Sequence, residues 1–473
     1  MDTTPGRPRV VIVGSGFGGL FAAQALERAE VDITMLARTT HHLFQPLLYQ
    51  VATGILSPGA IAPATREVLA KQDNVEVVLG DVTAIDVESR RITATTLGIE
   101  LDYDYDYLVL AAGAEQSYFG NDDFARNAPG MKSIDDALEL RGRIYGAFEL
   151  AEVAAARGNQ EALDRLMTFV VVGAGPTGVE MVGQLVELAH RTLRRDFRHI
   201  DPRDARIVLL DAADAVLGTF HPELQASTRA ELGELGVDVR LGAKVVDLDS
   251  SGLDYVDAAG AEHRIEAATK VWAAGVSASP LGRMVAEQCG VEVDRAGRVP
   301  VQSDLSLPGH PEIFVVGDMM ALDDLPGVAQ VAIQGARHAA DHIRRALRGD
   351  HERRDFVYND KGNMATISRF RAVAEVGALR VTGFTAWVMW LVVHLFYIIG
   401  FKSQVTTLIH WAVTWLGSER GERTITEQQV FGRLAMLASG REIRDKAARK
   451  IGPGVPDGDI PDAATEQPGP QGG

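Results

Sequence analysis

The stretch Val10–Arg28, VVIVGSGFGGLFAAQALER, decides the fold, because it is written a second time at Phe169–Leu188 as FVVVGAGPTGVEMVGQLVEL. Each copy reads as a buried apolar strand, a glycine turn and an amphipathic helix. In the first, Gly14 serves the tight turn, Gly16 lets backbone approach a pyrophosphate, and Gly19 lets the helix pack closely on the strand; Gly173, Gly175 and Gly178 repeat these roles. The helix after each turn aims unpaired N–H groups and a partial positive charge at a phosphate. One such loop is weak evidence. Here each copy is also succeeded by an apolar strand ending in Ala-Ala-Gly, at Ala112-Gly113 and at Ala274-Gly275. Gly14 to Gly113 spans 99 residues and Gly173 to Gly275 spans 102. That recurrence predicts an α/β chain with two tandem, doubly wound, Rossmann-like dinucleotide-binding domains.

The expected cofactor-binding residues are therefore Gly14, Ser15, Gly16, Phe17, Gly18, Gly19, Ala112 and Gly113 in the first copy. In the second they are Gly173, Gly175, Pro176, Thr177, Gly178, Ala274 and Gly275. The copies differ at the end of their second strands. RIVLLD ends in Asp211, where a carboxylate can accept from a ribose 2′-OH and repel a 2′-phosphate, so the second site favours NADH over NADPH. Its distance from Gly173 exceeds the usual interval of about 20 residues, and a helix extended through LAHRTLRRDF accounts for that. The first copy ends its second strand in Ala37-Arg38, with no acid; Arg38 can instead touch the adenosine or a phosphate, or main-chain groups can hold the ribose.

Further on, EIFVVGDMMAL ends a late strand in Gly317-Asp318. This resembles the second flavin signature of the two-dinucleotide-domain flavoproteins, in which the Asp holds the ribityl chain of FAD. It lies after the second copy, so the chain leaves the first domain, builds the second and returns. That order assigns non-covalent FAD to the first site and NADH to the second, with hydride transfer between them.

Composition narrows the electron acceptor. The chain has 473 residues, a net charge of −17 and one cysteine, Cys289. The charge argues against nucleic acid as a partner. A single cysteine excludes a disulfide framework, a CxxC pair and a thiolate cluster. It also removes the acceptor that disulfide reductases of this architecture use. His41, His42, His394 and His410 show no metal spacing, and no metal site is expected. That leaves a soluble electron carrier or a membrane quinone.

From GSGFGGL through HHLFQPLLYQVATGILS, SYFG, GAGPTGVE, WAAGVSAS and VVGDM to GVAQVAIQGARHAA, nearly the whole chain resembles the type II NADH dehydrogenases, the non-pumping NADH:quinone oxidoreductases, and their actinobacterial form in particular. The resemblance implies FAD, NADH as donor, menaquinone or ubiquinone as acceptor, and a C-terminal membrane anchor that often supports a homodimer. It also implies a place on the cytoplasmic face of the cell membrane. AQVAIQGA matches the family's quinone-site element and places Gln330 and Gln334 four apart on one helix face. Their amides can donate to a quinone carbonyl, or crosslink the helix packing against the flavin. The same resemblance sets Lys361 near the isoalloxazine and Glu180 at the nicotinamide–flavin edge, where a carboxylate can orient the carboxamide or relay protons toward the quinone; a helix-start Glu favoured by the dipole is the competing role. A membrane-tethered NADH-sensing flavoprotein, and a reductase of a small iron–sulfur protein, are the alternative functions.

The divisions expected are residues 1–165 for the first part of the FAD domain, 166–292 for the NADH domain and 293–360 for the return segment. Residues 361–435 form the C-terminal membrane-associated helical region, and 436–473 a polar, disordered tail. Within the helical region, FTAWVMWLVVHLFYIIGF (384–401) is apolar on every face, and VTTLIHWAVTWL (405–416) carries Val405, Leu408, Ile409, Ala412, Val413 and Leu416 at helical spacing. Residues 361–418 hold five Lys and Arg against Glu375 alone, a local +4 that suits an anionic lipid surface. The expectation is a monotopic anchor: the first helix packed partly on the body or a dimer mate, the second in the interface with Trp411 and Trp415 at headgroup depth.

Overall fold

A computed structural model describes residues 6–417 and 419–426. The first domain opens with β1 (Arg9–Val13), α1 (Phe17–Ala25), β2 (Asp32–Ala37), α2 (Leu48–Ala52) and β3 (Val75–Leu79). An antiparallel meander comes next, β4 (Asp81–Asp86), β5 (Arg91–Thr96) and β6 (Ile99–Asp104), and then β7 (Tyr107–Leu110), β8 (Ala114–Gln116) and the long α3 (Ile134–Ala156). The second domain begins at β9 (Thr168–Val172) and α4 (Pro176–Glu187), continues through β10 (Arg206–Asp211) and β11 (Asp238–Leu241), and closes with β12 (Thr269–Trp272). The chain then returns through β13 (Val276–Ala278), α5 (Leu281–Gln288), β14 (Ser306–Leu307), β15 (His310–Val315) and α6 (Ala329–Ala346).

The first sheet has the order β14-β15-β7-β1-β2-β3, parallel except at β14. The second has the order β11-β10-β9-β12, parallel throughout. Both central strands are covered on two faces, which is why VVIV and TFVVV read as unbroken apolar runs; all of Val10–Val13 and Thr168–Val172 are buried. Both glycine loops therefore sit at the carboxyl ends of central strands, where such sheets bind ligands.

Three expectations need correction. The return to the first domain comes earlier than residue 293. Strand β13 already pairs with β8, and α5 packs its buried Val285 and Ala286 into the first domain's core, with Gln288 bonded to the backbone of Ile85 and Val87. The helix through LAHRTLRRDF stops at a π-helical turn, Leu188–Thr192, and irregular chain fills the rest of the interval to Asp211.

The third correction concerns the C-terminal region. A three-stranded sheet, β16 (Asn363–Ser368), β17 (Arg371–Val376) and β18 (Leu379–Thr382), leads into α7 (Gly383–Tyr397) and α8 (Phe401–Gly417). The break between the helices falls at Ile398, which is extended, and at Gly400, which has φ +92°. A helix of 15 residues reaches roughly 22 Å, short of a bilayer's roughly 30 Å core. No helix among the described residues is long and apolar enough to cross a membrane.

The apolar run of α7 is split by its packing: Phe384, Val388, Val392 and Phe396 face out, while Ala386, Trp387 and Trp390 are buried. In α8 the residues Val405, Leu408, Ile409, Val413 and Leu416 are exposed, as the spacing predicts. Of the two tryptophans expected at headgroup depth, Trp411 turns into the body and Trp415 is half-buried beside it. Trp411 is fully buried and donates its indole N–H to Gln50 Oε1 at 2.6 Å, and Trp415 stacks on it. An indole finds both apolar contact and an acceptor in the body, which an interfacial position supplies less completely. After α8 the chain re-enters the body at Arg420, and the expected tail 436–473 lies outside the described residues.

Candidate functional site

The two glycine loops have the same construction. Gly14 has φ +106° and Gly173 φ +108°, a conformation other residues rarely adopt. A Cβ on Gly19 would lie 1.8 Å from the carbonyl oxygen of Gly14, and one on Gly178 would lie 1.8 Å from that of Gly173. Gly16 and Gly175, the N-caps of α1 and α4, face open space within 4 Å. Each loop is thus a cradle that a side chain would fill, in front of unpaired helix N–H groups. The residues fit two dinucleotide pyrophosphates.

In the first site Ser15 Oγ donates to His41 O at 3.1 Å, and buried His42 donates Nδ1–H to Ser15 O at 2.9 Å. The Phe17 ring meets His42 and Phe44 edge-on. Gly18 lies against Ala111 and Val316, which sets α1 over the ends of β7 and β15. Ala112 and Gly113 form the next strand end, and Gly113 opens onto free space at φ +70°. Asp318, half-buried, closes the far side of the crevice in the turn after β15. Arg38 forms an exposed ion pair with Glu115 at 2.8 Å, so its guanidinium is already engaged by the protein.

In the second site Asp211 ends β10 beside the glycine loop and accepts from the N–H groups of Ala174 at 2.5 Å and Ala213 at 2.8 Å. Pro176 and Thr177 form the first turn of α4. The Phe119 ring covers Gly275, where a Cβ would fall 2.4 Å from the ring edge. Gln116, which motif reading missed, donates to both Ala274 O (2.7 Å) and Gly275 O (2.6 Å), tying the strand ends of the two domains together.

Glu180, on the second turn of α4, is buried. Burial pushes its carboxyl up to about 8, opposed by the Thr366 N–H at a long 3.4 Å and by the nearby Trp390 indole. That indole makes no bond of ordinary geometry. Tyr49, Thr366 and Trp390 also line a cleft completed by Gln50, Ser368 and Trp387. The close approach behind this arrangement is Gly183, whose Cβ would lie 1.6 Å from the carbonyl of Ile367, so α4 lies hard against β16.

Gln330 and Gln334 lie half-buried in the first turns of α6, next to the Gly317–Asp318 turn, where Gly317 lies against Ala332. Gln334 donates to Asn359 O and accepts from Asn359 N, each at 3.0 Å, so it crosslinks the helix to the segment carrying exposed Lys361. Residues 359–366 thus run from the Gln334 clamp past Lys361 to the Thr366 N–H on Glu180. One more buried charge escaped the sequence reading: Arg420 donates to Thr53 O at 2.6 Å and to Gln184 at 3.0 and 3.2 Å. No group of metal-ligating side chains occurs among the described residues.

Comparison with known proteins accords with this geometry. Residues 8–336 match the pyridine nucleotide-disulphide oxidoreductase family. The chain is 59% identical over 434 residues to the type II NADH:quinone oxidoreductase Ndh of Mycobacterium tuberculosis, covering 91% of this chain and 93% of that one. It is 55% identical over 435 residues to NdhA of the same organism, covering 91% and 92%. Among solved structures, NDH2 from Plasmodium falciparum in complex with NADH aligns with a TM-score of 0.82 at 18% identity, over 88% of this chain and 99% of that one. At that identity the likeness is one of fold.

Proposed function

The chain belongs to the type II NADH:quinone oxidoreductases, within the pyridine nucleotide-disulphide oxidoreductase family, and from that premise we propose how its residues divide the work of carrying electrons from NADH to quinone. The enzyme is an FAD-dependent, non-pumping oxidoreductase. Bound at the first site, FAD would supply the hydride acceptor for NADH and the relay of the electron pair to quinone.

The loop Gly14–Gly19, Ala112, Gly113 and Asp318 hold FAD, with Arg38 at the adenosine end. The loop Gly173–Gly178, Asp211, Ala274 and Gly275 hold NADH. In the net reaction, NADH, quinone and one proton give NAD⁺ and quinol. Glu180 is the candidate source of that proton, since it keeps its proton at neutral pH in a water-poor setting. Gln334 positions the Asn359–Lys361 segment beside the flavin, and Gln330, four residues earlier, is free to donate to a quinone carbonyl.

The observation that carries the membrane side of this reading is the row of exposed apolar residues on each of α7 and α8. Scattered exposed apolar residues are ordinary, but a row on each of two adjoining helices marks an interaction site. Lys402 at the start of α8 and the local positive charge suit anionic headgroups. The reading is a monotopic enzyme on the cytoplasmic face of the cell membrane, acting as a homodimer, with its quinone pocket open to lipid from one side.

Stopped-flow absorbance tests the reading. NADH should bleach the flavin without oxygen, and a short-chain quinone should recolour it fast enough for turnover. Gln334→Leu should slow recolouring about fivefold, the worth of roughly one hydrogen bond, and leave bleaching unchanged. A flavin that NADH reduces but quinone does not reoxidise would leave the sensor or the iron–sulfur reductase.

A further inference from the structure

The residues SYFG, Ser117–Gly120, lie outside both glycine loops, yet the fold sets them at the second nucleotide site. Strand β8 pairs antiparallel with β13, with Gln116 opposite Val276, so the chain leaving β8 runs onto the strand end at Gly275. Its backbone is held there. Ser117 donates its N–H to Gly275 O at 3.3 Å, and its carbonyl accepts from the Trp272 indole at 2.9 Å. Tyr118 is buried against the Trp272 ring, and its hydroxyl donates to Ala128 O at 3.0 Å.

Phe119 breaks this pattern. On a fixed backbone its side chain is 67% exposed. Its φ of +53° is left-handed, a conformation that disfavours any residue with a Cβ. An apolar ring shown to solvent from a strained backbone gives the fold nothing, and such strain gathers where ligands are clamped.

The two strand-end glycines show what the ring does. Gly113 and Gly275 share one conformation, φ +70° and +71°. A Cβ on Gly113 would meet nothing within 4 Å, whereas one on Gly275 would lie 2.4 Å from the tip of the Phe119 ring. The ring is thus seated by its tip on the second strand end, with most of its surface left to the crevice. The sheet order tells which part of a dinucleotide arrives there. Strand β10, ending in Asp211, lies on one side of β9 and its glycine loop, and β12 lies on the other. With the adenosine ribose at Asp211 and the pyrophosphate on the loop, the nicotinamide half extends toward β12 and Gly275.

We propose that Phe119 is an NADH-binding residue whose ring is the plate on which the nicotinamide–ribose half packs, standing between that half and the backbone of Gly275. The inference rests on the second site holding NADH with its adenosine at Asp211. A nicotinamide ring or a sugar face packs well on a phenyl ring, and the contact takes exposed apolar surface out of water.

Calorimetric titration of the oxidised, FAD-loaded full chain with NAD⁺ and with ADP tests this for the wild type, Phe119→Ala and Phe119→Tyr. NAD⁺ has no hydride to give, so binding is read without turnover. ADP carries the adenosine and two phosphates and stops short of the nicotinamide half. Phe119→Ala should weaken NAD⁺ binding about fivefold, the worth of an aromatic contact, and leave ADP binding unchanged. Phe119→Tyr keeps the ring and should bind both as the wild type does.

Unchanged NAD⁺ affinity in Phe119→Ala overturns the proposal. Tighter NAD⁺ binding overturns it as well, since the ring would then be an obstacle over Gly275. Equal weakening of NAD⁺ and ADP does the same, because it moves the effect to the phosphates. Should the wild type bind neither ligand, the reading of the second site falls and takes this inference with it. Loss of so exposed a ring opens no core cavity; if Phe119→Ala nevertheless melts early, Phe119→Gly, which accepts φ +53° without strain, carries the same comparison.

Discussion

Replacing Glu180 with glutamine removes a titration that the tertiary structure has moved across neutral pH. Burial raises the carboxyl from 4.5 to about 8. The folded protein therefore holds this proton more tightly than the unfolded chain does. Below pH 4.5 both states are protonated and the shift has no effect on stability. As the pH rises from 4.5 to 8, the unfolded chain ionises while the folded one does not, and stability falls by about 1.4 kcal/mol per unit. The loss is roughly 3 kcal/mol at pH 7 and levels off at roughly 5 kcal/mol above pH 8. Glutamine keeps the shape and cannot ionise. Urea denaturation of the flavin-loaded wild type and Glu180→Gln should give similar midpoints at pH 5, with the variant gaining steadily to pH 8. The same proton bears on turnover: wild-type quinone reduction should decline above pH 8, and the variant should be slower with a flat profile. A stability gap that does not change between pH 5 and 8 would refute the reasoning, since it would mean that the folded protein ionises Glu180 as readily as water does.

Asp211→Asn should narrow the preference for NADH over NADPH in kcat/KM about fivefold or more, because a carboxylate beside a 2′-phosphate costs about 1 kcal/mol or more. Equal use of the two donors by the wild type would remove Asp211 from the ribose. Val413→Asp with Leu416→Asp places two charges on the exposed face of α8 and should abolish sedimentation with anionic vesicles while flavin reduction by NADH persists; binding that survives would locate the anchor elsewhere. Arg420→Met strips the donors from Thr53 O and Gln184 O and removes one of the two arginines, with Arg191, that act on half-buried Glu187. It should lower stability by about 2–4 kcal/mol in urea, and a wild-type midpoint would show that this re-entry of the chain does not hold the body together.

The features legible from sequence alone are those that depend on near neighbours in the chain. Gly14, Gly16 and Gly19 lie within six positions, so one turn's sterics dictate all three, and their recurrence at Gly173, Gly175 and Gly178 told of two domains. Asp211 and Asp318 were legible as strand ends, because a strand's apolar run announces where it stops. The apolar stripe of α8 was legible for the same reason, as a helical period. The surroundings of Glu180 were not. Its position on the helix comes from GPTGVE, but its raised pKa comes from Thr366 and Trp390, roughly two hundred residues away, and from the close contact at Gly183 that shuts water out. Gln334 shows the same limit: its motif located it, and only the fold revealed its amide engaged with Asn359. Trp411 and Trp415 have the composition of an interfacial helix, yet Gln50 offers an indole acceptor inside the body, and no local pattern records which side of a helix holds the better partner. Periodicity determines which face of an element is apolar; only packing decides what each face meets, and with it which charges lose their water.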